Sequence, residues 1–384
     1  MYYKKNITDT TCSHNLLIIG SLPPPLHGAS IYFKQLFECK TLDNNFKIVR
    51  INLNFNNTIK SSAKFSIKKL LIAFGFYIKI IKVLIKGKID IVYCGLAFPI
   101  IPFVKDAIIF ILCRLSGAKV IAAILGVGFK KNAYSNQYLR KFYEFGLNLP
   151  HYLFTPSHHM IKEDGYPKKV LLKSIEVPFG IIPIMADTFV PDYNIVPDNF
   201  NILFMSNFIK EKGILDSIEA IKYVIKKFKN VKFYFAGKWE FPIDKEIADK
   251  ILEDNALKNH YEFVGIITGE EKKHIMSKTH IFLLPTYYSA EGVPLAILDA
   301  LSFGQFVITC RHGGISSIIT ENFNGLFCKP RDPKDLADKI LFAIGNKDSF
   351  IRIRKNAFEE FKKNYTFKVF IENLIDKFNY CLNN

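Results

Sequence analysis

The chain lacks any CxxC pair: its seven cysteines, at positions 12, 39, 94, 113, 310, 328 and 381, form no paired framework. That excludes a disulfide-stapled secreted module and leaves reduced thiols in a cytosolic protein as the expectation. No group of His, Cys, Asp and Glu has the spacing of a metal site, so no metal and no cofactor are expected. The opening MYYKKNITDTTCSHN has no apolar core segment, and no signal peptide is expected. Charges break every apolar run in the first half before the roughly eighteen residues of a membrane span, the stretch Ile91 to Val104 included. Zinc-finger spacing, an RRM signature and a recognisable helix-turn-helix are also missing. Acid is scarce: 52 Lys and Arg against 35 Asp and Glu leave a net charge of +17. Such a field favours polyanions, with nucleic acid and anionic lipid headgroups as the two candidates. The accompanying excess of Lys, Ile, Asn and Phe also matches the output of an AT-rich genome, which makes part of the charge uninformative.

What is present reads as a folded chain, 49% hydrophobic and 23% charged over 384 residues, long enough for two domains with full cores. Strand-like runs at Leu16 to Gly20, Phe46 to Ile51, Asp90 to Cys94, Lys119 to Ile124 and Tyr152 to Thr155 alternate with helical patterns, and Lys173 to Gly180 with the Pro-rich Ile182 to Asn199 supplies a boundary. After the first run a Pro-rich loop ends at Gly28, where a small residue lets a ligand approach the backbone, and Ser30 is available as a helix cap. Prolines at 178, 183, 191 and 197 make a stiff join. A second series follows: Ile202 to Met205, a helix through Ile214, Ile218, Ile221 and Val224, then Val231 to Gly237 and Tyr261 to Val264, and helices from Pro333 onward. Two such series imply an α/β fold class with two doubly wound, Rossmann-like parallel-sheet lobes facing a cleft. The expected domains are 1–185, 186–365 and a C-terminal helix at 366–384.

Ser61 to Lys88 stands apart, because Lys68, Lys79, Lys82 and Lys86 fall on one narrow stripe at helical spacing while the other faces are apolar. Two readings stay open. One is a buried helix with a single solvated edge; the other is a basic amphipathic helix in the membrane interface, with Phe65, Phe74, Phe76 and Tyr77 entering the acyl boundary. His158 and His159 read as surface or helix-start residues.

The densest signal is Leu283 to Gly314. An apolar run ending at Pro285 predicts a strand feeding a loop, and Pro294 before Leu295, Ile297, Leu298 and Leu301 predicts a helix with proline in its first turn. Glu291 and Asp299 sit at this corner. Were the segment helical throughout, eight residues would separate the two carboxylates by about 12 Å, roughly the reach from a sugar ring to the ribose of a nucleotide-sugar. The residues Glu291, Gly292, Pro294, Asp299, Ala300, Gly304, Val307, Ile308, Gly313, Gly314, Asn324-Gly325-Leu326 and Asp332-Pro333 resemble the signature of retaining glycosyltransferase family four, group 1-type enzymes of polysaccharide biosynthesis. Lys212-Gly213 match the family's cationic loop, whose Arg position is Ser206 here, leaving Lys210, Arg311 or backbone amides to replace it. Leu125 stands where the family often has histidine, ahead of Gly126 and Gly128. VPFGIIP is similar to the interdomain turn, with Phe179 in place of Asn.

The resemblance implies the GT-B architecture and a retaining, metal-independent transfer of a hexose-type sugar from a nucleotide-diphosphate sugar. It implies catalytic roles for Glu291 (sugar hydroxyls) and Lys212 (diphosphate). It puts Gly28, Ser206, Gly265, Ile266, Gly292, Val293, Pro294, Leu295 and Asp299 among the donor contacts, the last at the ribose. The implied partners are the donor and a glycan or lipid-linked acceptor of cell-envelope synthesis (capsule, O-antigen or similar). A peripheral contact with the inner face of an anionic membrane accompanies a cytoplasmic location, and no nucleic acid is expected. Three alternatives stay open: a nucleotide-sugar epimerase of the same fold, a basic nucleic-acid-binding protein, and a non-catalytic relative lacking the histidine and arginine.

Overall fold

The computed structural model describes residues 14–24, 28–53, 67–185, 190–192 and 196–384. Residues 61–66, Phe65 among them, and the 185/186 domain boundary fall at least partly outside the described residues, as does the side chain of Lys68.

The chain forms two compact units, 1–177 with 371–384, and 178–370. The first holds a six-stranded parallel sheet. Its strands are β1 (Asn15–Gly20), β2 (Lys47–Asn52), β3 (Ile91–Leu96), β4 (Lys119–Ile124), β5 (Tyr152–Thr155) and β6 (Ser174–Glu176), in the order β2-β1-β3-β4-β5-β6. The second holds another, built from β7 (Phe200–Met205), β8 (Val231–Ala236), β9 (Tyr261–Gly265), β10 (Ile281–Leu284), β11 (Phe306–Thr309) and β12 (Gly325–Phe327), in the order β12-β11-β10-β7-β8-β9. Strands covered by helices on both faces must be apolar on both faces. Hence β10 is an unbroken hydrophobic run, β3 and β11 depart from one only at Gly95 and Thr309, and every residue of β10 and β11 is buried.

The sheets are pinned at their starts by the same device. His151, one residue before β5, accepts the Val120 N–H at Nδ1 (2.9 Å) and donates its own N–H to the Val120 carbonyl (2.8 Å). His280, one residue before β10, does the same with Asn201, at 3.0 and 2.8 Å. The two strand pairs are thereby locked in register before the first residue of β5 or β10 is reached.

Two expectations need correction. The helix after β1 begins at Gly28, so Ser30 is not its cap but a buried residue within it. The helix Ile67–Lys86 is not a buried element with one solvated edge: Phe74, Ile78, Ile81 and Ile85 are exposed beside Lys79, Lys82 and Lys86. Phe76 and Tyr77, expected at an acyl boundary, pack instead against the core of the first unit. His158 and His159 do lie at an exposed helix start, after the capping Ser157.

Candidate functional site

Ligands of open α/β sheets bind outside the carboxyl ends of the strands where strand order reverses, because helices leave on opposite faces and open a crevice there. In the second unit that reversal lies between β7 and β10, which are paired neighbours 79 residues apart in the chain at their key side chains.

The loop leaving β7 ends in a 3-10 turn, Lys210–Lys212, and then Gly213 at φ +82° starts the helix Ile214–Lys227. Only glycine suits this position. A Cβ there would strain a left-handed backbone and lie 2.5 Å from the Pro285 carbonyl oxygen in the loop leaving β10. The two loops therefore meet backbone to backbone. The Tyr287 N–H donates to the Glu211 carbonyl at 2.8 Å, and the Tyr288 N–H donates to the Thr286 hydroxyl at 3.2 Å. The loop leaving β11 joins them: Gly314 N–H donates to the Gly292 carbonyl (3.0 Å), and His312 Nε2 lies 2.8 Å from the Tyr288 carbonyl oxygen.

This stitching brings Lys212 onto Glu291. Lys212 Nζ donates to Glu291 Oε2 at 2.6 Å and sits 4.8 Å from the centre of the Tyr288 ring. The Thr286 hydroxyl donates to the same carboxylate oxygen at 2.9 Å. Glu291 is only 6% exposed, so the pair is a desolvated one in which each charge is tolerated because the other is there. Immediately after it run Gly292, Val293 and Pro294, and the helix Leu295–Ser302 starts at Leu295 with Pro294 as its cap residue. Its amide end points a partial positive charge at the same corner.

Glu291 thus lies in the loop, four residues before the helix, and the helical 12 Å spacing to Asp299 does not apply. Asp299 belongs to a different contact. Lys272, on the helix Gly269–Lys278, donates to its Oδ2 at 2.6 Å, and burial raises its carboxyl above the ordinary range while Lys272 opposes the rise. Ser206 follows β7 directly and donates its N–H to the Ala236 carbonyl. Gly265 ends β9 at φ +73°, its carbonyl accepting the Gly237 N–H at 2.7 Å, and Ile266 beside it is exposed. Gly28 opens a helix of the first unit, and among the described residues no atom lies within 4 Å of where its Cβ would stand.

Of the expected substitutes for the Ser206 cation, Arg311 is engaged elsewhere, 3.4 Å from Glu321 and over the Phe327 ring. Sequence reasoning misses Arg331. Held at φ +60° just before the capping Asp332, it lies over the Tyr287 ring at 4.6 Å. With Lys210 it faces Asp216, whose carboxyl is pushed up to about 6 by burial and by Glu219. Sequence reasoning misses Thr286, Tyr288 and His312 as well; their only local signal is their place directly after a buried strand. In the first unit the loop after β4 is held without the family's histidine. Asp164 accepts from the N–H groups of Gly128, Phe129 and Lys130 at 2.8, 2.8 and 3.1 Å. Among the described residues no group of three or more His, Cys, Asp and Glu can hold a metal ion.

Residues 186–360 match the family described as glycosyl transferases group 1. The chain carries a group 1 glycosyltransferase domain. That domain contains every residue of the Lys212–Glu291 cluster. Among curated proteins the chain is 28% identical over 176 residues to an uncharacterized glycosyltransferase of Methanocaldococcus jannaschii, covering 46% of each chain. It is 27% identical over 144 residues to the amylovoran biosynthesis glycosyltransferase AmsK of Erwinia amylovora, covering 36% of this chain and 35% of that protein. The match spans less than half the length of these relatives. Solved structures show a likeness of fold over nearly the whole chain. A glycosyltransferase from Rickettsia africae aligns over 97% of this chain and 99% of its own (TM-score 0.69, 17% identity). Anabaena HepE in complex with UDP-glucose aligns over 95% and 99% (TM-score 0.65, 13% identity). With two parallel six-stranded sheets flanked by helices, the fold class is GT-B.

Proposed function

We propose that the protein is a retaining glycosyltransferase that moves a hexose-type sugar from a nucleotide-diphosphate sugar, without metal, to a lipid-linked or polysaccharide-precursor acceptor in cell-envelope glycan synthesis. One observation carries this reading: a desolvated carboxylate and ammonium, Glu291 and Lys212, held 2.6 Å apart at the strand-order reversal and beside a helix amide end. Glu291 offers acceptor oxygens to sugar hydroxyls. Lys212 and the N–H groups of Gly292, Val293 and Leu295 meet the diphosphate. The reaction breaks the bond from anomeric carbon to phosphate oxygen, and charge grows on that oxygen. Fixed positive groups that need no reorganisation stabilise it most. The acceptor hydroxyl attacks from the same face, and its proton passes to the departing phosphate. Asp299, held by Lys272, is the proposed ribose acceptor, and Ser206, Gly265 and Ile266 are proposed to line the nucleotide. HepE's complex with UDP-glucose and the amylovoran role in AmsK's name support the donor and acceptor classes.

The test is a thermal-shift screen of the full chain against nucleotide-diphosphate sugars, followed by turnover with the donor that shifts it. Glu291→Ala and Lys212→Ala are each expected to cost at least tenfold in turnover with the circular dichroism spectrum kept. Wild-type rates in both variants end the proposal, and release of free epimer from labelled donor without an acceptor replaces it with an epimerase.

A further inference from the structure

Two neighbouring helices of the first unit, Ile67–Lys86 and Ile100–Leu115, carry an outward face of the wrong chemistry for water. A helix packed on a sheet ordinarily keeps one apolar stripe inside and turns polar residues out. The helix Ile100–Leu115 buries Phe103, Asp106, Ala107, Ile109, Phe110 and Cys113. Its opposite side is aliphatic too. Ile101, Val104, Ile108, Ile111 and Leu115 recur at steps of three and four residues and are all exposed, Ile101 at 64% and Leu115 at 80%. On the helix beside it Phe74, Ile78, Ile81 and Ile85 recur at the same steps, with Phe74 at 63% and Ile85 at 81%. Contiguous patches of this kind mark interaction surfaces, while apolar residues scattered singly do not.

The charge around the patch has one sign. Lys79, Lys82 and Lys86 are exposed along the first helix, which contains no acidic residue. The second contains only Asp106, which is 1% exposed and is bound by Lys105 at 2.6 Å and by the Ala97 N–H at 3.0 Å. Nothing acidic on these two helices screens the lysines. No helix among the described residues is long and apolar enough to cross a membrane, so a lipid-facing role for this surface means lying on a bilayer.

We propose that this face docks the protein on an anionic bilayer, the aliphatic rows entering the headgroup boundary and Lys79, Lys82 and Lys86 meeting lipid phosphates. Amphipathic surfaces bind this way, with strength set by buried apolar area and by attraction to anionic lipid. A second copy of the chain is a poorer occupant, because isologous pairing would bring both lysine rows into one interface. The surface gives physical content to a lipid-linked acceptor, yet it shares no residue with the Lys212–Glu291 site.

The experiment is flotation of the full chain with vesicles of phosphatidylcholine alone or with one-third phosphatidylglycerol. Binding is expected to be at least tenfold stronger to the anionic vesicles. The variant I81Q/I85Q/I101Q/I108Q changes only exposed positions and is expected to lose binding at low and high salt. The variant K79Q/K82Q/K86Q is expected to lose the preference for phosphatidylglycerol. Wild-type flotation by the isoleucine variant overturns the proposal, as does a sedimenting dimer that this variant dissolves. Both variants should keep the thermal shift with the donor. Failed flotation with an intact shift sinks the docking surface alone, and flotation without any shift sinks the donor reading alone.

Discussion

Lys212 is the side chain on which the second unit's corner depends. Taking away one member of a desolvated ion pair leaves a charge with no compensation, typically costing about 3–5 kcal/mol, whereas replacing both members by neutral groups of similar size is often nearly neutral. Lys212→Met is therefore expected to lower stability by about 3 kcal/mol, and Lys212→Met with Glu291→Gln to recover most of it. Guanidinium melts of the four combinations read this directly. Additive losses would mean that the 2.6 Å contact carries no coupling. Asp216 makes a second prediction. Folding raises its carboxyl to about 6, from an ordinary value of 3.8. Between those values the native state holds the extra proton, so stability falls as pH rises through that window and stays lower above it. Two units correspond to about 3 kcal/mol, and partial exposure reduces this to about 1–2 kcal/mol. Asp216→Asn should thus gain about 1 kcal/mol at pH 8 and nothing at pH 4. Urea midpoints at the two values check it, and an equal change at both would refute it.

At the level of elements, legibility follows burial. β1, β3, β4 and β10 announce themselves by apolar runs (Leu16–Ile19, Ile91–Cys94, Val120–Ile124 and Ile281–Leu284), while β7 and β8 are each interrupted once, by Asn201 and Lys232; a strand covered on both faces needs little tertiary context to be recognised. β12, only Gly325–Phe327, is not legible as a strand: three residues carry no period. Pro294 already disfavours a helix running back through Glu291, because it donates no N–H and drives the residue before it to extended backbone. Propensity is a weak guide at helix starts, and here the pull of the Pro285, Gly213 and Gly313 contacts keeps residues 285–294 irregular. The histidine clamps are elements of register with a pH signature. His280 is pushed down to about 4 by burial, with Arg354 adding to it, and must stay neutral to accept the Asn201 N–H. A base with a lowered folded value contributes stability above its unfolded value near 6.5, and that contribution is lost as pH falls towards 4. His280→Gln is expected to flatten this acid limb by about 2 kcal/mol, measured as the urea midpoint at pH 6.5 against pH 4.5. An unchanged limb would assign acid sensitivity to other groups.

Over the whole molecule, the two series of strands are visible in sequence, but what links distant residues is not. Glu291 finds Lys212 only because β10 inserts next to β7, a strand order no local pattern encodes. The same holds for the end of the chain. The first unit is left at residue 177 and completed only from residue 371, by the helix Phe367–Asn383. Phe378 on that helix is fully buried; its ring lies 5.8 Å from Phe46, 5.1 Å from Tyr93 and 5.8 Å from Phe154, stacked on the last. Three strands or strand neighbours of the first sheet thus share one plug supplied from the far end of the sequence. Truncating a ring in such a site removes its transfer energy and leaves a cavity, together about 3–5 kcal/mol. Phe378→Ala should therefore speed amide exchange in β1, β3 and β5 by at least a hundredfold, since each 1.4 kcal/mol is a factor of ten when exchange follows opening of the unit. β7, β10 and β11 belong to the other compact unit and should exchange as in the wild type. Equal acceleration in both sheets would mean that the two units open as one, and protection unchanged in the first sheet would mean that the C-terminal helix only decorates it.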